Sequence, residues 1–247
     1  SIPTKIIKLL KGVLAQPLEI LFNLSFVTGV VPDKFKITSV IPIYKGGTRN
    51  NLSNYRPISL LSIFNILLQK LMAKRLTSFI DKHNLIYNKQ FGFRHNHSTV
   101  QAILSITDKI QTAIDALEYS CGVFLDFRKA FDTINHKILI SKLEHYGIRG
   151  VAKDWFCSYL TNRKQFVAVN AYKSDLSPIV CGVPQGSVLG PLLFLLYIND
   201  FKNSSNLLDF HLFADDSNLF YSNKKLTLLE NHINTELQHI RFSFICR

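Results

Sequence analysis

Apolar positions along the chain recur with two spacings, and the switching between them lays out a mixed set of helices and strands. From Ser59 to about His83, Leu60, Phe64, Leu67, Leu68, Leu71 and Phe79 mark one helical face, while Lys70, Lys74, Arg75 and Lys82 take the polar positions. A second helix is predicted to begin at Ser98-Thr99-Val100-Gln101, the spacing of a capping box, and to run through Ile103, Ile110, Ile114 and Leu117, where its role is packing. Near the start, Ile6, Leu9, Leu10 and Val13, then Leu18, Leu21 and Phe22, lie on either side of Pro17 and read as two short helices. Further helices are expected over residues 135–146, ahead of Gly147, from Pro191 to about Asn199, and from about Leu226 to Ile240.

Short apolar runs bounded by turn residues supply the strands. Val40-Ile41-Pro42-Ile43-Tyr44 reads as one, followed by a Lys45-Gly46-Gly47 turn, and Val123-Phe124-Leu125 as another, ending on Asp126. Gln165-Phe166-Val167-Ala168-Val169 and Ser177-Pro178-Ile179-Val180 form the arms of a hairpin. His211-Leu212-Phe213 and Leu219-Phe220-Tyr221 flank an acidic turn, Ala214-Asp215-Asp216-Ser217-Asn218. Helices and strands do not alternate regularly, so the expected class is α+β rather than a doubly wound sheet. No repeat, low-complexity tract or polar linker interrupts the chain, so any lobes must share segments.

Composition narrows the partners. The 247 residues are 47% hydrophobic and 12% aromatic, enough for a substantial core, and Lys plus Arg exceed Asp plus Glu by 29 to 17, a formal charge of +12. Such an excess favours a polyanion, with nucleic acid first among candidates and plain solubility as the alternative. Cys121, Cys157, Cys181 and Cys246 are scattered with no C-x-x-C pair, which reads as free thiols in a reducing, intracellular compartment and argues against secretion. The most apolar run, Val188 to Ile198, is broken by Gly190-Pro191 and falls short of the roughly 20 residues a membrane span needs, so no membrane partner is expected. The first residue is Ser1 and the last follows a helical pattern, and both ends read as cut.

The carboxylates carry the candidate chemistry. Asp is depleted in strands, yet Asp126 closes an apolar strand and Asp215-Asp216 sit together in a tight hairpin. Hard oxygen ligands on rigid strand ends suit two divalent cations about 3.5–4 Å apart, one activating an attacking hydroxyl and the other stabilising a leaving group. Mg²⁺ fits such a set. The plainer reading is ordinary turn chemistry, since Asp favours turns. Asp132 reads as the N-cap of the following helix. His95 and His97 flank Asn96 without a further ligand at suitable spacing, and so read as loop polarity.

Five segments, taken in order, resemble the reverse transcriptase domain of non-LTR retrotransposons of the LINE-like and jockey-like kind. They are Asn54-Tyr55-Arg56-Pro57-Ile58-Ser59-Leu60-Leu61, Gln90-Phe91-Gly92-Phe93-Arg94, Phe124-Leu125-Asp126-Phe127-Arg128-Lys129-Ala130-Phe131-Asp132, Pro184-Gln185-Gly186-Ser187 with Leu189-Gly190-Pro191, and Phe213-Ala214-Asp215-Asp216. The resemblance implies the fingers and palm of a right-hand polymerase, with the thumb largely missing. It divides the chain into an N-terminal helical extension (1–39), the reverse transcriptase domain (40–222, fingers about 40–118 and palm about 119–222, interleaved) and a C-terminal helical segment (223–247). It also implies RNA-directed DNA polymerisation, with two Mg²⁺ ions held by Asp126, Asp215 and Asp216, and an RNA template, a DNA primer and dNTPs as partners.

Further roles come with the same resemblance. Phe131 would lie under the incoming sugar and reject a ribose 2′-OH, although its apolar neighbourhood also suits a core residue. Gln185 and Gly186 would contact nucleotide and template, Arg56 would grip the triphosphate, and Lys45 would assist. Gln90, Arg94 and Arg163 would line the nucleic-acid path, with Phe91 and Phe93 in the core. Three rivals stand beside this reading. One is an inactive element relic that only binds nucleic acid. Another is a viral RNA-dependent RNA polymerase, against which Phe131 and Ala214 speak. The last is a basic interaction module without an active site.

Overall fold

The structure, a computed structural model, describes residues 3–127 and 129–245. Arg128 of the acidic-strand motif and the thiol of Cys246 lie outside the described residues. In chain order the helices are α1 (Thr4–Leu9), α2 (Lys11–Thr28), α3 (Ile63–Lys82), α4 (Thr99–Asp115), α5 (His136–His145), α6 (Val151–Leu160), α7 (Gly190–Ile198) and α8 (Leu226–Ile245). The strands are β1 (Ile37–Tyr44), β2 (Tyr55–Leu60), β3 (Tyr119–Asp126), β4 (Lys164–Val169), β5 (Tyr172–Lys173), β6 (Ser177–Pro178), β7 (Asp209–Phe213) and β8 (Asp216–Asn223). This is the α+β class expected. Two compact units are formed, Ser1–Lys82 with Phe131–Leu193 and His83–Ala130 with Phe194–Arg247, so each draws on two separated stretches of chain.

The first unit is organised on a sheet of order β2-β1-β4-β5, with β6 also on β4. β1 pairs antiparallel with β2 over Ser39–Tyr44 but with β4 in parallel only as far as Val40. Beyond Val40 one edge of β1 is therefore open, which is where Pro42, lacking an N–H, does least harm to the ladder. The expected helix from Ser59 starts only at Ile63, because residues 55–60 form β2 and the Ser59 N–H donates to Gln185 O at 2.8 Å. Sheet pairing there overrides helical periodicity. Within α3, buried Asn65 and Gln69 form a polar ladder: Asn65 Nδ2 donates to Phe35 O, Gln69 Nε2 donates to Asn65 Oδ1, and Gln69 Oε1 accepts from the N–H groups of Val188 and Leu189. Those two donors stand just ahead of α7, where backbone N–H groups lack helical partners.

Two further expectations change in this unit. Pro17 does not separate two short helices; it lies inside the 18-residue α2, and the break falls at Leu10 instead. Proline's fixed φ is itself helical, so the cost is local. α2 is fastened by Trp155 Nε1 donating to Ser25 Oγ (3.0 Å), and the segment just after it by Val31 N–H donating to Ser158 Oγ (2.9 Å). Both partners belong to α6, a helix that the periodicity did not mark and that buries Trp155, Phe156, Tyr159 and Leu160. The N-cap of α5 is Asn135, whose Oδ1 accepts from Lys137 and Ile138, and not Asp132.

The second unit carries a sheet of order β3-β8-β7, against which α4 and α8 pack. α4 starts with the capping box expected at Ser98 and Gln101. Its packing differs from expectation: Ala102 and Ala113 are buried, whereas Val100, Ile103 and Ile114 are exposed, and Leu117 lies beyond the helix at φ +55°. Small side chains let the helix approach β3 and β7 closely, and the large ones face outward. Cys121, Cys157 and Cys181 are free thiols, and among the described residues no helix is long and apolar enough to cross a membrane.

Candidate active site

The carboxylate site is built by the register of β3, β8 and β7 in the second unit. Asp126, the last residue of β3, stands directly opposite Asp216, the first of β8, and Asp216 is in turn opposite Phe213 across the hairpin. Ala214 and Asp215 are the two residues that close that hairpin. Ala214 has φ +56°, a left-handed conformation that costs an L-residue roughly 1–2 kcal/mol. Such strain at a turn holding acidic side chains is where functional sites concentrate it.

The electrostatics match. Partial desolvation, then the negative Asp215 and Asp126 carboxylates, raises the pKa of Asp216 above its ordinary value. Asp126 and Asp216 are exposed and Asp215 is half-buried, so all are open to a ligand. Among the described residues no three His, Cys, Asp or Glu side chains are grouped so as to hold a metal ion as they stand. The donor set nevertheless fits a hard divalent ion: adjacent carboxylates on rigid strand ends, mutually repelling until a cation neutralises them.

The expected nucleotide contacts lie in the first unit, and several converge there. Gln185 is the joint: its backbone O accepts from Ser59 in β2, and its Nε2 donates to both carboxylate oxygens of Asp132, at 2.9 and 3.0 Å. Phe131, half-buried beside Asp132, is tied to the same segment by Val183 N–H donating to Phe131 O. Gly186 has φ +99°, and a Cβ there would lie 3.2 Å from Ser59 O, so glycine suits this approach to β2. Arg56 is exposed on β2 opposite Ile43, and Lys45 is exposed just past the end of β1. Asp132, read from sequence as a cap, thus emerges as the anchor of Gln185; its position next to Phe131 gave no local sign of that partner.

Known proteins resemble this arrangement in both sequence and fold. Residues 43–245 match the family model for reverse transcriptase (RNA-dependent DNA polymerase). The chain belongs to the reverse transcriptase family. The RNA-directed DNA polymerase from mobile element jockey of Drosophila melanogaster is 36% identical over 198 residues, covering 78% of this chain and 21% of that protein. The probable RNA-directed DNA polymerase from transposon BS of the same fly is 35% identical over 219 residues, 83% of this chain and 23% of that protein. This reverse transcriptase domain, of the non-LTR retrotransposon kind, therefore spans about a fifth of the length of these relatives. A solved apo telomerase from Candida tropicalis shares its fold, with a TM-score of 0.58 at 13% identity over 85% of this chain and 47% of that one.

The remaining expected contacts of the reverse transcriptase domain are placed differently from surface ligands. Gln90 is 2% exposed, and its amide bonds to the backbone of Gly92 and Ala214. Arg94 is half-buried and donates from Nη1 to the carbonyls of Tyr87 and Gln90. Arg163 is 1% exposed, with Nη1 donating to Tyr159 O and Nη2 to Thr38 Oγ1, and its guanidinium lies 5.0 Å from the Tyr159 ring centre. Gln90 and Arg163 are thus enclosed among protein partners, whereas Arg94 keeps part of its surface exposed. Phe91 is half-buried, but Phe93, expected in the core, is exposed at φ +54°. His97 Nδ1 lies 2.9 Å from His95 O, a local contact within the loop.

Proposed function

We propose that the chain carries the catalytic segment of an RNA-directed DNA polymerase that adds dNTPs to the 3′-OH of a DNA primer on an RNA template. The observation that carries this reading is the cross-strand pair Asp126–Asp216 with Asp215 in the adjoining turn. Asp126, Asp215 and Asp216 would hold two Mg²⁺ ions through hard carboxylate oxygens. When bound, the ions activate the attacking 3′-oxygen and stabilise charge on the departing pyrophosphate. The rest is positioning. Arg56 offers a forked guanidinium to the triphosphate, assisted by Lys45. Asp132 accepts from the Gln185 amide nitrogen, so Gln185 presents its carbonyl oxygen, while Gly186 lets backbone approach the ligand. Phe131 supplies the bulk that excludes a ribose 2′-OH. The relatives' names and the +12 charge support an RNA and DNA partner, and such an enzyme works inside the cell, in nucleus or cytoplasm, with its RNA.

Primer extension on a primed RNA template tests the proposal. Asp126→Asn and Asp215→Asn are each expected to abolish extension, while retention on a filter shows template binding within about two-fold of the parent, since neutralising one acid among many cations alters little. Undiminished extension by either variant defeats the mechanism. A parent chain that binds nucleic acid and does not extend would identify a binding relic instead.

A further inference from the structure

The segment Gln90-Phe91-Gly92 is bonded to the hairpin that carries Asp215. Phe91 N–H donates to Leu212 O at 2.8 Å and Leu212 N–H donates to Lys89 O at 2.9 Å, a parallel bridge that adds a short extra edge to β7. At the end of this bridge the buried Gln90 side chain takes hold of the turn. Its Oε1 accepts from Ala214 N–H (3.0 Å) and from Gly92 N–H (2.9 Å), and its Nε2 donates to Ala214 O over a longer 3.4 Å. One amide therefore bonds both backbone groups of the left-handed residue immediately before Asp215.

Gly92 makes that grip possible. A Cβ at this position would stand 2.1 Å from Ala214 N and 2.7 Å from Ala214 Cα, so only glycine lets the two backbones touch. The segment is itself braced from behind: Arg94 Nη1 donates to Tyr87 O and Gln90 O, and Asn199 Oδ1 accepts from Tyr87 N–H while Asn199 Nδ2 donates to Leu85 O. A strained φ persists only where its surroundings fix it, and here the fixing groups are a buried amide and an abutting glycine.

We propose that Gln90 is a positioning residue for the metal-binding turn: its amide sets the Ala214 backbone and thereby aims the Asp215 and Asp216 carboxylates. This rests on those carboxylates holding the cations, as proposed above. The expectation follows from how ligands are held: groups that orient a metal's ligands are worth about 10- to 100-fold in metal affinity.

Mn²⁺ titration followed by electron paramagnetic resonance reads this directly, without turnover. In Gln90→Met the side chain keeps its length and apolar packing but cannot accept from either N–H. Mn²⁺ affinity is expected to fall roughly 10-fold or more. Asn199→Ala serves as control, because it loosens the same segment without touching Ala214; it should lower the melting temperature and leave Mn²⁺ affinity at the parent's value. Gln90→Asn, which withdraws the amide by one methylene, provides the same comparison where the Met variant does not fold. Asp215→Asn must lose Mn²⁺ binding. Parent-like affinity in the Gln90 variants, with Asp215→Asn impaired, overturns the positioning role and leaves the metal turn standing. Equal losses in the Gln90 and Asn199 variants, scaling with melting temperature, overturn it as well. Parent-like binding by Asp215→Asn removes the metal turn and this inference together.

Discussion

At the scale of single residues, Phe131 offers the most selective test of substrate choice. It is half-buried, its carbonyl is fixed by the Val183 N–H, and the adjacent Asp132 anchors Gln185. The ring is thus attached to a segment with little freedom, as a steric filter requires. Phe131→Ala is expected to raise ribonucleotide incorporation relative to deoxynucleotide by roughly 10-fold or more, since a filter of this size is worth about 1–3 kcal/mol. Single-nucleotide insertion kinetics with matched rNTP and dNTP pairs would show it. Unchanged discrimination would return Phe131 to the role of a packing residue. Burial separates the other candidates: Gln90 and Arg163 share polar character with Arg56 and Lys45, yet the first pair is buried and the second exposed. A motif records which residues occur together and not whether they touch a ligand or hold the residue that does.

At the scale of elements, β7 begins with an ion cluster that ties its stability to pH. Asp209 receives Lys89 Nζ at 2.5 Å, and Lys109 Nζ and His211 Nε2 each at 3.5 Å. The nearby His211 ring, then Lys89, hold the carboxyl well below the usual carboxylate range despite partial burial. A depressed folded-state pKa adds stability that is fully present above the unfolded value near pH 4 and is lost as pH falls toward the folded one. Asp209→Asn is therefore expected to lower the melting temperature at pH 7, by roughly 1–3 kcal/mol of stability, and to weaken the decline below pH 4. Melting curves from pH 7 to pH 3 check both; parallel curves would remove the linkage. The same strand shows what sequence revealed. The β7–β8 hairpin and the acidic end of β3 were legible because short apolar runs frame residues that strands avoid. α6 and β2 were not, since α6 is helical without a clean apolar period and β2 is set by its pairing with β1. Asp132 and Gln185, 53 positions apart, meet only through the fold.

At the scale of the whole molecule, the excess of positive charge predicts how the proposed nucleic-acid partner would be held. The sheet of the first unit carries exposed Lys45, Arg56, Lys164 and Lys173 on or beside β1, β2, β4 and β5, and none of these is among the described ion pairs. Cations of this kind displace counterions from phosphates, whereas hydrogen bonds to bases do not. Four to seven phosphate contacts would give log affinity a slope of roughly −3 to −5 against log salt on single-stranded RNA, on the order of a 10²- to 10³-fold loss between 50 and 200 mM. Lys45→Gln and Arg56→Gln should each flatten that slope by about 0.7 if the residue meets a phosphate. Asp126→Asn removes a negative charge and should leave the slope within error of the parent. Filter binding across a salt series distinguishes these cases. A slope unchanged in both cation variants would move the polyanion contact off the β1–β2 hairpin, whereas a flat parent curve would mean that the net charge serves solubility and that recognition rests on uncharged contacts.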